Sequence, residues 1–214
     1  MNNWQQQAEL VQQALADPVP PTLDELLVLR DLAGEVLRQM EPPPGATPRL
    51  AAVLLLLYPY QGELWLPLTV RSSRLSSHRG EVSLPGGATD PEDADAAATA
   101  LREANEELGI DPASVTIWGR LSSFYIPPSN FQISPVVGFS AAPPAFTPSP
   151  YEIEHVFSVP LSRLLNPATI QVEDWTRRGL LMRVPFFAVE GYKVWGATAL
   201  LLSELVARIR RIRS

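Results

Sequence analysis

Three glutamates, Glu103, Glu106 and Glu107, fall within the stretch Leu101-Arg102-Glu103-Ala104-Asn105-Glu106-Glu107-Leu108-Gly109. The spacing i, i+3 and i+4 puts their carboxylates on one face if the stretch is helical. Like charges so spaced destabilise a helix by roughly 0.2–0.5 kcal/mol per pair. They also crowd the negative end of the helix dipole. Helix stability alone does not favour this arrangement, and a bound divalent cation reverses its sign. Magnesium takes hard oxygen ligands, commonly one or two carboxylates completed by waters and substrate phosphates. Ala97, Leu101, Ala104 and Leu108 occupy the other face, spaced to pack on a sheet. For a helix taken in isolation, a solvated acidic face with Arg102 pairing Glu106 is the commoner explanation. The neighbouring segments therefore decide.

Just upstream lies Leu84-Pro85-Gly86-Gly87. Paired glycines let a backbone approach a ligand closely, although Pro-Gly-Gly by itself is usually a turn. Before it runs Arg71-Ser72-Ser73-Arg74-Leu75-Ser76-Ser77-His78-Arg79-Gly80. Its guanidinium and hydroxyl groups suit phosphate oxygens, and alone such a loop would more often be plain surface. His78 has either a structural role within the loop or a substrate contact.

These groups need a scaffold. Hydrophobic periodicity predicts helices over residues 4–16 and 23–40, the second from Leu26, Leu27, Leu29, Leu32, Val36 and Leu37. Pro42–Pro44 then break the chain. The apolar run Ala51–Tyr58 has the length of a buried strand, and Glu63–Arg71 is its hairpin partner through Gln61-Gly62. Glu81–Leu84 forms a short strand. The acidic helix spans about 93–108, with Gly109 placed to end it. Further strands are expected at 115–121, 133–139, 156–159 and 180–187. A closing helix over 197–212 carries Leu201, Leu205, Ile209 and Ile212 on one side. The order implies an α/β fold, a mixed sheet with helices on its faces.

Composition narrows the function. A net charge of -6 argues against a general nucleic-acid-binding surface. No apolar run is long enough for a transmembrane helix, and the start MNNWQQQAEL has neither the basic nor the apolar stretch of a signal peptide. The sequence has no cysteine, which excludes thiolate ligands and fits a cytoplasmic setting. Arg208, Arg210, Arg211 and Arg213 suit the C-terminal end of a helix dipole better than a ligand phosphate. Any of Trp4, Trp65, Trp118, Trp175 and Trp195 offers a stacking surface for a base, and the sequence selects none.

Taken together, these segments resemble the box of the Nudix hydrolase family: Gly, five residues, Glu, seven residues, Arg-Glu, an apolar residue, any residue, Glu-Glu, any residue, Gly, an apolar residue. Arg102, Glu103, Ala104, Glu106, Glu107, Gly109 and Ile110 match its second half. The first half departs, with Ala94 at the Glu position between Asp93 and Asp95, and Gly87 one residue early. The coenzyme A pyrophosphatase branch is similar in more places: Arg71-Ser72, His78-Arg79-Gly80-Glu81-Val82 and Pro85-Gly86-Gly87 stand in order ahead of the box. Ser134–Gly138, Glu152–Phe157 and Trp195–Ala199 also resemble its later segments. The likeness covers roughly residues 50–205.

The resemblance implies a Nudix α/β/α sandwich over residues 49–214, preceded by an N-terminal helical extension over 1–48 packed on the core. It implies Mg2+- or Mn2+-dependent hydrolysis of the pyrophosphate of coenzyme A, giving 3′,5′-adenosine bisphosphate and 4′-phosphopantetheine. Glu103 and Glu107 would be metal ligands, Glu106 a ligand or bridging carboxylate with a catalytic part, and Gly87 a carbonyl donor. Glu152, or its rival Glu154, would be the general base. Arg71, Arg74, Arg79 and Gly86 would contact substrate, and Arg102 would orient the carboxylates. Many such enzymes are dimers, so a homodimer is among the assemblies implied. Cleavage of ADP-ribose or another nucleoside diphosphate derivative, and nucleotide sensing without cleavage, remain as alternatives.

Overall fold

The computed structural model describes residues 3–37, 39–73, 80–177 and 179–213. The helix α1 (Asn3–Ala16) leads through a short 3-10 turn, Leu23–Glu25, to the strands β1 (Arg49–Tyr60), β2 (Glu63–Arg71), β3 (Val82–Ser83) and β4 (Gly86–Ala88). There follow α2 (Ala96–Leu108), β5 (Val115–Arg120), β6 (Phe124–Ile126), β7 (Phe131–Ser140) and β8 (Ile153–Pro160). The chain closes with α3 (Leu161–Leu165), β9 (Ile170–Arg177), β10 (Leu180–Val189), β11 (Tyr192–Trp195) and α4 (Gly196–Arg213).

The apolar run of β1 is the centre of a mixed sheet ordered β3-β2-β1-β7-β5, with β4 beside β1, β6 beside β7 and β8 beside β2. It runs parallel to β7 from Arg49↔Phe131 to Leu57↔Phe139. Strand side chains alternate between faces, so β1 feeds two cores. Ala51, Leu55 and Leu57 pack with Leu201, Leu202 and Leu205 of α4. Ala52, Leu54 and Leu56 pack with Ala100, Ala104 and Leu108 of α2. Burial on both faces explains why the run is apolar at every position. The hairpin to β2 turns at Gln61 and Gly62, both with positive φ (48° and 84°), as a tight two-residue turn requires.

Residues 23–40 do not form the expected helix. Asp31 and Gly34 make a turn instead: Gly34 has φ +94°, and the Glu35 N–H donates to Asp31 Oδ1 at 2.8 Å. The chain doubles back, Leu37 N–H donating to Leu29 O at 2.9 Å. Arg30 meanwhile pairs with Arg183 of β10. The leucines are thus read by an extended arm on the three-stranded sheet β11-β10-β9, two strands of which the periodicity did not predict. The closing helix also differs from expectation. It is buried all round from Thr198 to Ile209, because α1 and the arm cover the side turned from the sheet, whereas Ile212 is exposed. Among the described residues no helix is long and apolar enough to cross a membrane.

The C-terminal arginines tie this arrangement together. Arg208 pairs with the buried Glu204 at 3.0 Å and donates to Asp17 O at 2.7 Å. Arg211 binds Glu25 at 2.7 Å and Arg210 donates to Leu165 O at 3.1 Å. They clamp the N-terminal arm and α3 to α4.

Candidate active site

The acidic helix α2 starts at an Asp95 cap, whose Oδ1 accepts the Ala97 and Ala98 N–H groups at 2.8 and 2.9 Å. It ends at Gly109, φ +69°. Its last carbonyls are taken up by the loop before β8: Thr147 N–H donates to Leu108 O and Ser149 N–H to Glu107 O, each at 2.8 Å. That loop ends in Glu152, just before β8, so closing the helix end also brings this carboxylate toward it, while Glu154 lies within β8.

The glycines fix where the helix meets the sheet. At Gly86 a Cβ would collide with the β1 backbone at Ala52 O and Val53 Cα. At Gly87 it would land on the Glu103 carboxylate. Pairing of β4 with Ala51–Val53 therefore brings a bare backbone edge against α2. The Gly86 N–H donates to Glu107 Oε2 at 3.1 Å.

The three box glutamates stand in different surroundings. Glu107 is buried, 3% exposed. Burial pushes its pKa up to about 7; the Gly86 N–H and the Arg71 charge oppose the rise, and Glu152 and Glu103 add to it. Glu103 is half-buried, and desolvation raises it too, against the pull of Arg102. Glu106 is exposed and lies 3.3 Å from Arg102 Nη1. Arg102 also holds Glu103 at 2.9 Å and donates to Ala88 O at 2.8 Å.

Asp93 is a contributor the sequence did not single out. It takes Arg102 Nε at 3.1 Å and Nη2 at 3.0 Å, a bidentate grip that holds its carboxyl well below the usual range. The box pattern puts its Glu at Ala94; the neighbouring Asp93 anchors the arginine instead. The flanking aspartates were the available signal, and their division of labour, one gripping Arg102 and one capping α2, needed the helix start.

Arg71, Gly86, Gly87, Glu103, Glu107 and Glu152 are thus brought together: the charges of Arg71, Glu103 and Glu152 all act on Glu107. Glu154 accepts the Ser73 N–H at 3.2 Å. Arg74, His78 and Arg79 lie outside the described residues. Among the described residues no three His, Asp or Glu side chains close into a ready-made cation cage. The buried Glu107, with two acidic neighbours, is nonetheless short of positive charge. A hard divalent cation would make up that shortage, and such an ion needs few protein ligands when waters and phosphates complete its shell.

The NUDIX domain model matches residues 48–178. The chain belongs to the Nudix family. Nudix hydrolases generally use divalent metals such as Mg2+ or Mn2+ and act on small nucleotide substrates. An uncharacterized Nudix hydrolase, NudL, of Photorhabdus laumondii is 34% identical over 188 residues, covering 86% of this chain and 100% of its own. The NudL of Escherichia coli K12 is 40% identical over 167 residues, 75% of this chain and 83% of its own. The human mitochondrial coenzyme A diphosphatase NUDT8 is 37% identical over 180 residues, 83% of this chain and 74% of its own. This Nudix chain is accordingly a hydrolase with a mixed-sheet α/β fold.

Proposed function

We propose that this Nudix hydrolase cleaves the diphosphate of coenzyme A, or of its derivatives, in a Mg2+- or Mn2+-dependent reaction. The products are 3′,5′-adenosine bisphosphate and 4′-phosphopantetheine. One observation carries the reading: a buried, charge-starved Glu107 beside Glu103, the bare Gly86–Gly87 edge and Arg71. The likeness to the human coenzyme A diphosphatase supports the choice of substrate.

Glu103 and Glu107 would hold the metal, with the Gly87 carbonyl, and Glu106 would join as ligand or bridging carboxylate with a catalytic part. A metal held there would neutralise charge on the diphosphate and lower the pKa of a bound water. Glu152 is assigned as the base, because its charge reaches both Glu103 and Glu107, whereas Glu154 is engaged by the Ser73 N–H. Glu152 takes a proton as water oxygen bonds to one phosphorus; the bond from that phosphorus to the bridging oxygen breaks, leaving two phosphate monoesters. Arg71 offsets charge on the phosphate oxygens, with Arg74 and Arg79 as further contacts and Gly86 giving the diphosphate room. Arg102, held by Asp93, keeps Glu103 in place. A cytoplasmic location and a homodimer go with this reading on the bacterial relatives and the family's habit.

The test is hydrolysis of coenzyme A against ADP-ribose with magnesium, wild type beside Glu107→Gln, products identified by mass. Phosphopantetheine formed by wild type alone is the expected result. Cleavage of ADP-ribose without coenzyme A would transfer the assignment to nucleoside diphosphate sugars. No cleavage of either by a folded, metal-loaded protein would reject the catalytic reading.

A further inference from the structure

A cavity of about 640 Å³ opens beside Arg71 and Glu81, a volume that suits a drug-sized ligand. Its walls come from segments distant in sequence. Leu29 and Leu37 belong to the N-terminal arm, Ile126 to the end of β6, Pro127 to the turn after it, Phe131 to the start of β7, and Trp195 to β11. Leu29, Leu37 and Trp195 all lie outside the 48–178 stretch matched by the family. Arg71 joins the cavity to the acidic cluster, since it lines the one and acts electrostatically on Glu107 of the other.

The chemistry of the wall limits what it can hold. Thr198 spends its hydroxyl on Val82 O at 2.9 Å, and Ser83 Oγ lies 2.9 Å from Thr69 Oγ1. The Arg177 guanidinium lies over the Trp195 ring, 4.8 Å from its centroid, and 3.7 Å from Glu81. Among the described lining residues there is no Asn, Gln or His. A purine is read by hydrogen bonds along its edge and by an open aromatic face. Here each ring on the wall already carries a guanidinium, Arg177 over Trp195 and Arg49 over Phe131 at 4.5 Å, and among the described lining residues Ser129 is the one neutral polar side chain besides Ser83 and Thr198. A flexible, uncharged, weakly polar chain asks for neither, and gains from apolar contact.

We propose that this cavity takes the pantetheine side of the substrate, and that the N-terminal arm, through Leu29 and Leu37, sets which chain is accepted. The assignment rests on the coenzyme A reading. The arm is then part of the binding site, and its folding onto β10 through Arg30 and Arg183 shapes one wall. Discrimination is carried by elements outside the box, while the box handles the diphosphate.

The experiment measures binding without turnover. Pantetheine and 3′,5′-adenosine bisphosphate are titrated separately into metal-free protein and followed by ligand-observed NMR. Wild type is compared with Leu37→Asp and the milder Leu37→Ala; Leu37 is already 38% exposed, so the fold has room for either. Pantetheine should weaken about tenfold in Leu37→Asp and less in Leu37→Ala, while the bisphosphate is unchanged. In turnover, KM for coenzyme A should rise at constant kcat. Loss of bisphosphate affinity instead, equal loss of both, or no pantetheine binding to wild type would overturn the assignment. If pantetheine binds as expected but coenzyme A is not hydrolysed, the cavity assignment stands and the proposed reaction falls.

Discussion

Replacing Glu107 by glutamine should make the metal-free protein more resistant to alkaline pH while abolishing its activity. The folded-state pKa of Glu107 is raised from the ordinary 4.5 to about 7, so the fold binds this proton more tightly than the unfolded chain does. The group's favourable contribution is fully present below pH 4.5 and is lost as pH rises through 7. Linkage between these two values gives a loss on the order of 2–3 kcal/mol between pH 5 and pH 8. Glutamine cannot ionise, so the variant should lack that part of the pH dependence. Its amide has a pH-independent cost of roughly 1–3 kcal/mol if the NH2 finds no partner, which cancels when each protein is compared with itself across pH. Urea unfolding in EDTA at pH 5, 6, 7 and 8 measures the difference. Parallel stability profiles for the two proteins would refute the buried, charge-starved carboxylate. Added magnesium should restore stability to wild type at pH 8 far more than to the variant.

The paired glycines should separate structure from chemistry. Gly86→Ala drives a methyl into the β1 backbone and should cost about 3 kcal/mol, read as a fall in the urea midpoint. Gly87→Ala meets the Glu103 carboxylate rather than backbone and would displace it from Arg102, so stability should fall less than in Gly86→Ala while kcat falls at least tenfold; the reverse ranking would refute the distinction. Arg208→Ala leaves the buried Glu204 without its counter-ion, with only the Ser122 N–H and hydroxyl as partners, and should cost about 3 kcal/mol. If instead the phosphate affinity of Arg208→Ala fell with stability intact, the helix-end arginines would have to be reassigned to ligand binding.

The elements legible in the sequence are those whose signal is local. The β1–β2 hairpin announces itself by an apolar run, Gln61-Gly62 and a second run. The acidic helix was readable because its charges contradict its own stability. The arm over 23–37 was not: Leu26, Leu29 and Leu37 satisfy a helical period, but Gly34 and the Asp31 side chain favour a turn and β10 offers backbone partners. A tertiary contact outbid the propensity there. The grip of Asp93 on Arg102 likewise depends on α2 beginning at Asp95, a boundary set by a cap rather than by periodicity. The cavity drew its walls from residues about 160 positions apart, Leu37 and Trp195, which no window along the sequence could join.

The all-round burial of α4 bears on the order in which this protein can be made. The helix is formed from residues 196–213, after the whole mixed sheet, yet it supplies Leu201, Leu202 and Leu205 to a core that also holds Val11 and Ala14 of α1. Such pairings close very long loops, a topology associated with slow folding. Until α4 leaves the ribosome, one face of the sheet lacks its main cover, and α1 has only its contacts with the sheet, such as Trp4 on Phe139 and Gln7 on the Leu64 N–H, to hold it. A nascent chain at that stage shows the apolar surface that invites aggregation. The stretch from Thr198 to Ile209 is therefore a late keystone: the core it shares with α1 and β1 closes only after it arrives, well after the acidic helix has been made.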